Sequence, residues 1–521
     1  MSPTAPQTHT IPAVAKSIAE RRPHIIALVE NGKAWTFAQL YRDARAAASA
    51  FLAHGIGKGD IVGIWAPNRR EWILAALGAQ FVGAAITPLN TRLKGREAGD
   101  LLRRSRAQIL FTTGAFLGTD YPALLAHESL PALRSTVLLD GTGNDGWAAF
   151  VGQGRGAEDP AVDVAMAAVG PEDLSDILFT SGTTGAPKGA LSTHGQVVLL
   201  FRSWVETTGL REGDRYLIAN PFFHTFGYKA GWLAALIAGA TIMPMPVFDA
   251  AAMALLIEQE RITFIPGPPT IYQMLLAQLG DEPRDFSSLR VAVTGAATVP
   301  PILIERMQKE LGFQIVITAY GMTECGVITM CRAGDPITRI AETCGRAIPG
   351  LQVHCVDDAG QTVAPGATGE ILVRGYGVMS GYLDDAQATS EAIDADGWLH
   401  TGDVGTLDQD GYLRITDRKK DMYITGGFNC YPAEVEKLLS EHPKVEIVAV
   451  IGIPDDRLGE VGKAFIVLRP NQVASAAEVI AWARDNMANY KVPRVVEFCV
   501  ELPKNASGKV LRRELRTRSA H

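Results

Sequence analysis

The stretch TSGTTGAPKG, running from Thr180 to Gly189, sets four hydroxyls, three glycines and one lysine within ten residues. Glycines let backbone N–H groups approach an anion, serine and threonine hydroxyls add donors without bulk, and Lys188 supplies positive charge. The string before it, Asp176 to Phe179 (DILF), reads as the end of a buried strand. Together they predict a nucleotide-triphosphate site on a strand-to-loop junction. An ordinary P-loop is excluded by spacing, since it needs Gly, four residues and then Gly-Lys-Ser/Thr opening a helix. Here Lys188 stands between Pro187 and Gly189. On these ten residues alone, a flexible Gly/Ser/Thr surface turn remains an alternative.

Outward from this loop the chain alternates helical patterns with short apolar, β-branched runs. Before it these are Ile61–Trp65, Ala85–Pro88, Ile109–Thr112, Thr136–Leu139 and Ile177–Thr180; after it, Arg215–Ala219, Thr241–Met243, Thr263–Ile265, Arg290–Thr294 and Ile315–Thr318. Such alternation predicts an α/β fold of βαβ units with largely parallel, buried sheets. After Ala341 the runs Gln352–Val356, Gly369–Val373 and Tyr412–Ile415 crowd together between Asp/Gly turns, which predicts a small antiparallel β subdomain over about 342–417. The charged string DRKKD, Asp417 to Asp421, marks the last boundary. The expected organisation is a large domain over 1–417 and a small α+β domain over 418–521, with a helix at Pro432–Ser440, strands at Ile447–Ile453 and Phe465–Leu468, and a helix at Ala476–Met487. The Gly/Ala-rich span Gly141–Ala168 is expected to be a loose surface connection.

Composition bounds the function. At 521 residues the chain exceeds a single core, and 47% hydrophobic with 20% charged residues suits a globular enzyme. A net charge of -7 gives no reason to expect nucleic acid, so small molecules are the expected partners. The six cysteines form no CxxC pair and no metal-type spacing with histidine, which suggests free thiols in a reducing cytoplasm. The N-terminus is punctuated by Pro3, Pro6 and Pro12 and lacks the apolar core of a signal peptide. Two apolar stretches, Trp72–Leu89 and Gly231–Val247, are interrupted by Gln80, Pro88, Pro244 and Pro246, so each is read as a buried helix running into a strand and not as a membrane span.

Further strings remove the ambiguity of the opening loop. After TSGTTGAPKG come Tyr320-Gly-Met-Thr-Glu324, Thr401-Gly-Asp403, Arg418 within TDRKKDMYITGGFN, and Lys509 within PKNASGKV. This ordered set resembles the adenylate-forming superfamily of acyl-CoA synthetases, peptide-synthetase adenylation domains and luciferases, over nearly the whole chain. The resemblance implies a mobile C-terminal domain and a reaction in which a carboxylate attacks the α-phosphate of ATP. It implies Thr180, Ser181, Gly182, Thr183, Thr184, Gly185 and Lys188 on the departing phosphates, Glu324 on Mg²⁺, and Thr323 on the α-phosphate. Gly295, Ala296, Ala297 and Tyr320 are implied around adenine, and Asp403 with Arg418 on the ribose. Lys509 is implied as the catalytic lysine bridging carboxylate and α-phosphate. Lys420 is the implied hinge for a second half-reaction, in which CoA enters a channel opened by Gly426 and Gly427; a plain hairpin turn is the other reading of that Gly-Gly pair.

The acid is addressed by Pro221-Phe-Phe-His224, which matches the family's aromatic-His string. It implies Phe222 and Phe223 in the acyl pocket and His224 as gate between that pocket and the thiol channel. No aspartate stands in Phe222–Gly227 to hold an amino-acid ammonium, and no carrier domain follows Lys509, which favours transfer to CoA. The longer strings NPFFHTFGYKAG, ITFIPGPPTIYQMLL, LRVAVTGAATVP and ITDRKKDMYITGGFNCYPAEVE resemble the steroid-degradation branch, whose ligases activate a hydrindane-dione propanoate. A medium-chain or aryl acid, or a stand-alone module loading a carrier protein, are the alternatives. Lys229 lies in an apolar stretch and is expected either to donate to a ring ketone or to pair with a carboxylate not identifiable from sequence, because a buried ammonium without a partner is costly. Oligomeric state stays open, a homodimer included.

Overall fold

The computed structural model describes residues 9–180, 187–279, 284–295, 299, 301–357, 359–418, 423–503 and 512–519. The chain divides into two compact units, one of residues 1–91, 102–178 and 189–416, the other of 92–101, 179–188 and 417–521.

The first unit holds two large sheets. In the nine-stranded one, Ile315–Tyr320, Val291–Gly295, Phe264–Pro266, Arg215–Ile218, Thr241–Pro244 and Ile26–Glu30 lie side by side and parallel. Short antiparallel strands finish both edges. The seven-stranded sheet runs in the order Gly381–Tyr382, Lys188–Thr193, Leu174–Thr180, Ala85–Pro88, Ile61–Trp65, Ile109–Thr112, Ser135–Leu138, its last five strands being parallel. Parallel strands covered on both faces must be apolar throughout, which is why these segments read as continuous apolar runs. A four-stranded antiparallel sheet of Gln352–Val356, Thr368–Arg374, Leu399–Leu407 and Leu413–Arg418 carries the later β segment.

The helix Arg70–Phe81 is buried from Trp72 to Phe81, so it has no polar face to betray it as a surface helix. Its Gly78 lets the helix Phe37–Ala53 approach: a Cβ there would stand 2.8 Å from that of Ala47. The two apolar stretches each resolve into helix then strand, Arg70–Phe81 into Ala85–Pro88 and Ala234–Ala238 into Thr241–Pro244. Among the described residues no helix is long and apolar enough to cross a membrane.

The span expected as a loose connection is corrected. It contains the helices Trp147–Gly152 and Pro160–Ala167. Asp159 caps the second, accepting from Ala161 N, and Pro160 opens it with a preset φ. Asp159 also accepts from the buried Ser49 Oγ at 2.7 Å, and Phe150 packs edge-on against Phe51 and Phe111, so the segment is tied to the core. Its small residues hid that apolar content.

In the second unit the strands Val445–Asp455 and Gly459–Leu468 form one long antiparallel hairpin, joined on its other edge by Tyr423–Thr425 and Val495–Phe498. The helices Pro432–Leu439 and Ala476–Asn486 contribute Val435, Leu439, Val479 and Ala483 to its core. Inside it Lys491 Nζ lies 2.6 Å from Glu434 Oε1, a buried charge with its partner. The helix Arg512–Ser519 adds the fully buried Leu515 to a second small cluster with Ile451 and Phe465.

Candidate active site

The loop Tyr320–Glu324 leaves the end of the strand Ile315–Tyr320. It closes tightly: a Cβ on Gly321 would drive into the carbonyl oxygen of Gly326. Only glycine lets the chain turn there and present residues on both sides of it. On one side Tyr320 Oη donates to Asp403 Oδ2 at 2.6 Å. Asp403 is set by the strand Leu399–Leu407, where its N–H donates to Thr401 Oγ1 and the buried Thr401 in turn donates to Ile371 O at 2.8 Å. On the other side Glu324, 8% exposed, accepts at Oε1 from Tyr382 Oη at 2.8 Å, and its backbone carbonyl accepts from Met379 N at 2.8 Å. Thr323, between the two, is half-buried. Beside Glu324 the thiol of Cys325 is pushed up to about 12 by burial, with the Glu324 charge adding to it, so it is no nucleophile.

Gly295 ends the strand Val291–Gly295 opposite Ala319, and a Cβ there would lie 2.5 Å from the Ala319 carbonyl oxygen. Close approach of two backbones thus explains Gly295. Thr180 closes the strand Leu174–Thr180 and Lys188 opens the strand Lys188–Thr193, so the phosphate-type sequence joins two neighbouring strands and leads into no helix. Thr180 Oγ1 donates to Lys188 O at 3.4 Å across the base of that connection. Ser181, Gly182, Thr183, Thr184 and Gly185 lie outside the described residues, as do Ala296, Ala297, Lys420 and Lys509. Arg418 ends the strand Leu413–Arg418, and its side chain is likewise outside the description.

The aromatic-His string is held from below by Asn68. Phe222 N donates to Asn68 Oδ1 at 2.7 Å, while Asn68 Nδ2 reaches Asn220 O at 2.9 Å and the carbonyls of Ile218 and Met245 at 3.2 Å. Phe222 is buried against Trp72, whose ring meets it edge-on at 5.5 Å; Phe223 is half-buried. His224 caps the turn Thr225–Gly227, its Nδ1 accepting from Phe226 N at 3.2 Å, which leaves the neutral-state proton on Nε2. Residue His224 is exposed, and desolvation by the surrounding protein lowers its pKa.

Of the two expectations for Lys229, pairing with a carboxylate is the one present in the structure. It is 3% exposed, and its Nζ lies 2.8 Å from Asp176 Oδ1 and 2.8 Å from Ser192 Oγ. The carboxylate that sequence could not identify is Asp176, so the ion pair accounts for the buried ammonium. Gly426 and Gly427, with φ of +56 and +84, form the two-residue turn between Tyr423–Thr425 and Phe428–Cys430. Positive φ at both central positions is what a tight hairpin of this twist requires.

Comparison with known proteins sets this geometry in a family. Residues 15–383 match the AMP-binding enzyme family and residues 434–509 the AMP-binding enzyme C-terminal domain. The chain belongs to the AMP-binding enzymes. It is 50% identical to the 3-[(3aS,4S,7aS)-7a-methyl-1,5-dioxo-octahydro-1H-inden-4-yl]propanoyl:CoA ligase of Mycobacterium tuberculosis, over 97% of this chain and 98% of that protein. It is 46% identical to the ligase of the same name from Rhodococcus jostii, over 98% and 99%. Among solved structures, o-succinylbenzoate CoA synthetase of Bacillus subtilis matches with a TM-score of 0.81 at 30% identity, over 97% of this chain and 98% of that one. The α/β fold with a small C-terminal domain is that of these AMP-binding enzymes.

Three residues around the site were not legible in the sequence: Asn68, Tyr382 and Asp176. Each acts through one side chain on a partner far along the chain, and no local pattern announces that.

Proposed function

We propose that this AMP-binding enzyme is a carboxylic acid:CoA ligase that works through an acyl adenylate, with 3-(7a-methyl-1,5-dioxo-octahydroinden-4-yl)propanoate as its acid. The observation that carries the reading is the double presentation at one loop, Tyr320 bonded to Asp403 and Glu324 bonded to Tyr382. A ring beside a carboxylate suits adenine with its ribose, and a second, oriented carboxylate suits the counter-ion of the phosphates. The name of the two bacterial ligases supports the acid.

In the first half-reaction a carboxylate oxygen of the acid attacks the α-phosphorus, the bond to the β-phosphate oxygen breaks, and pyrophosphate leaves. Asp403 accepts from the ribose hydroxyls, Tyr320 packs on the base, and Thr323 donates to an α-phosphate oxygen. Lys188 and the hydroxyls of Thr180 to Thr184 hold the departing phosphates, and Lys509 spans the two reacting groups, where charge accumulates. Among the described residues no three acidic, histidine or cysteine side chains gather to cage a metal. A lone carboxylate fits Mg²⁺, which keeps its waters and is shared with substrate phosphates. Glu324 would hold it, and bound there it neutralises phosphate charge. In the second half-reaction the CoA sulfur attacks the acyl carbon, the thiol proton departs, and AMP leaves. His224 gates the acyl pocket, Gly426 and Gly427 open the thiol channel, and Arg418 and Lys420 lie at the junction of the domains proposed as 1–417 and 418–521. A cytoplasmic location goes with this reading.

Lys509→Ala tests the division of labour. It abolishes acid-dependent exchange of pyrophosphate into ATP and leaves conversion of a supplied acyl adenylate to thioester intact; equal loss of both steps contradicts the assignment.

A further inference from the structure

The helical turn Tyr228–Leu233, beyond His224, is kinked at Gly231, whose φ of -89 and ψ of -108 are not helical. All six residues of that turn are buried, so the Lys229 stem has no route to water. Here the turn delivers an ammonium to two strands at once. Asp176 lies on the strand Leu174–Thr180, four residues before Thr180, and Ser192 lies on Lys188–Thr193, four residues after Lys188. The pair is closed by further bonds: Ser175 Oγ donates to Asp176 Oδ2 at 2.7 Å, and Gln80 Nε2 donates to Tyr228 Oη at 2.7 Å and to Ser175 O at 3.3 Å. Beyond Ser192 the strand Lys188–Thr193 pairs Ala190 with Tyr382 and Leu191 with Gly381. Tyr382 is the residue whose hydroxyl holds Glu324.

We propose that Lys229 is a positioning residue that keys the helix behind the acyl gate to the two strands flanking the phosphate loop, and through Tyr382 to Glu324. The inference rests on the reading of these segments as acid and ATP sites. Stability alone is a weak reason to keep such a pair, since buried ion pairs replaced by apolar residues of like volume are often neutral or stabilising. Registry between two substrate sites is a reason, because the carboxylate and the α-phosphate must meet within a fraction of an ångström.

The test compares wild type, Lys229→Met/Asp176→Leu and Ser192→Ala in thermal unfolding and in pyrophosphate exchange, with the hydrindane-dione acid and with a straight-chain alkanoate. The double variant is expected to melt with wild type while losing about 10- to 100-fold in kcat/KM for exchange. The loss appears in kcat and in KM for ATP, and by the same factor for both acids. Ser192→Ala, which leaves the ion pair in place, shows the same pattern at smaller size and decides the question if the double variant does not fold. Unchanged exchange in a folded variant overturns the proposal, and loss confined to the keto acid makes Lys229 a substrate donor instead. No exchange by wild type with any acid rejects the ligase reading itself, and the proposal with it.

Discussion

Replacing Lys229 alone strands the Asp176 carboxylate, which has 0% exposure. Removing one partner of such a pair costs about 3–5 kcal/mol. Lys229→Met is therefore expected to lower the unfolding midpoint in denaturant sharply, and to affect the keto acid and a plain alkanoate alike. A midpoint equal to wild type contradicts the pairing. His194 gives a pH signature. Its ring is fully buried and its pKa is lowered to about 4 by burial, while in the unfolded chain it titrates near 6.5. Between those values the unfolded state binds the extra proton, so stability is present above 6.5 and falls as pH drops toward 4, by at most about 1.4 kcal/mol per unit. His194→Asn, which keeps an acceptor for Ile11 N, is expected to flatten that part of the stability curve measured by urea unfolding. An unchanged slope removes His194 as its source. At the site, Tyr382→Phe deletes the hydrogen bond on Glu324 Oε1 and is expected to raise the Mg²⁺ concentration needed for half-maximal exchange about 10-fold. A magnesium titration superimposable on wild type refutes the orienting role.

At the scale of elements, parallel strands announced themselves because both faces are covered, and the predicted runs Ile61–Trp65, Ala85–Pro88 and Ile109–Thr112 are strands with those bounds. The helices at 147–152 and 160–167 escaped, since Gly and Ala carry little pattern and their anchors are an aromatic contact and a capping aspartate. The kink at Gly231 escaped as well, since a single glycine within a helical pattern does not by itself announce one. Partners across elements were illegible because they are remote in sequence, Tyr320 and Asp403 standing 83 residues apart and Glu324 and Tyr382 58 apart. The loop Tyr320–Glu324 depends on its glycine. Gly321→Ala must push the backbone away from Gly326, shifting Tyr320 and Glu324 together. The expected result is loss of ATP binding by calorimetry with the thermal transition retained; retained binding contradicts the loop's tight closure.

For the whole molecule, residues 15–383 and 434–509 fall in AMP-binding enzyme domains, and nearly the full chain aligns with two bacterial ligases of one name. Motif order along the chain made the family legible, because five short strings of phosphate, ribose and lysine chemistry recur in sequence. The proposed acid rests on resemblance alone, since no local string of the sequence encodes the shape of a pocket. One measurement tests the assignment most directly: CoA- and ATP-dependent thioester formation by the full-length protein, with the hydrindane-dione propanoate beside straight-chain and aryl acids. Strong preference for the bicyclic keto acid is expected, with AMP and pyrophosphate released in step. Equal or better turnover of a plain alkanoate or aryl acid contradicts it.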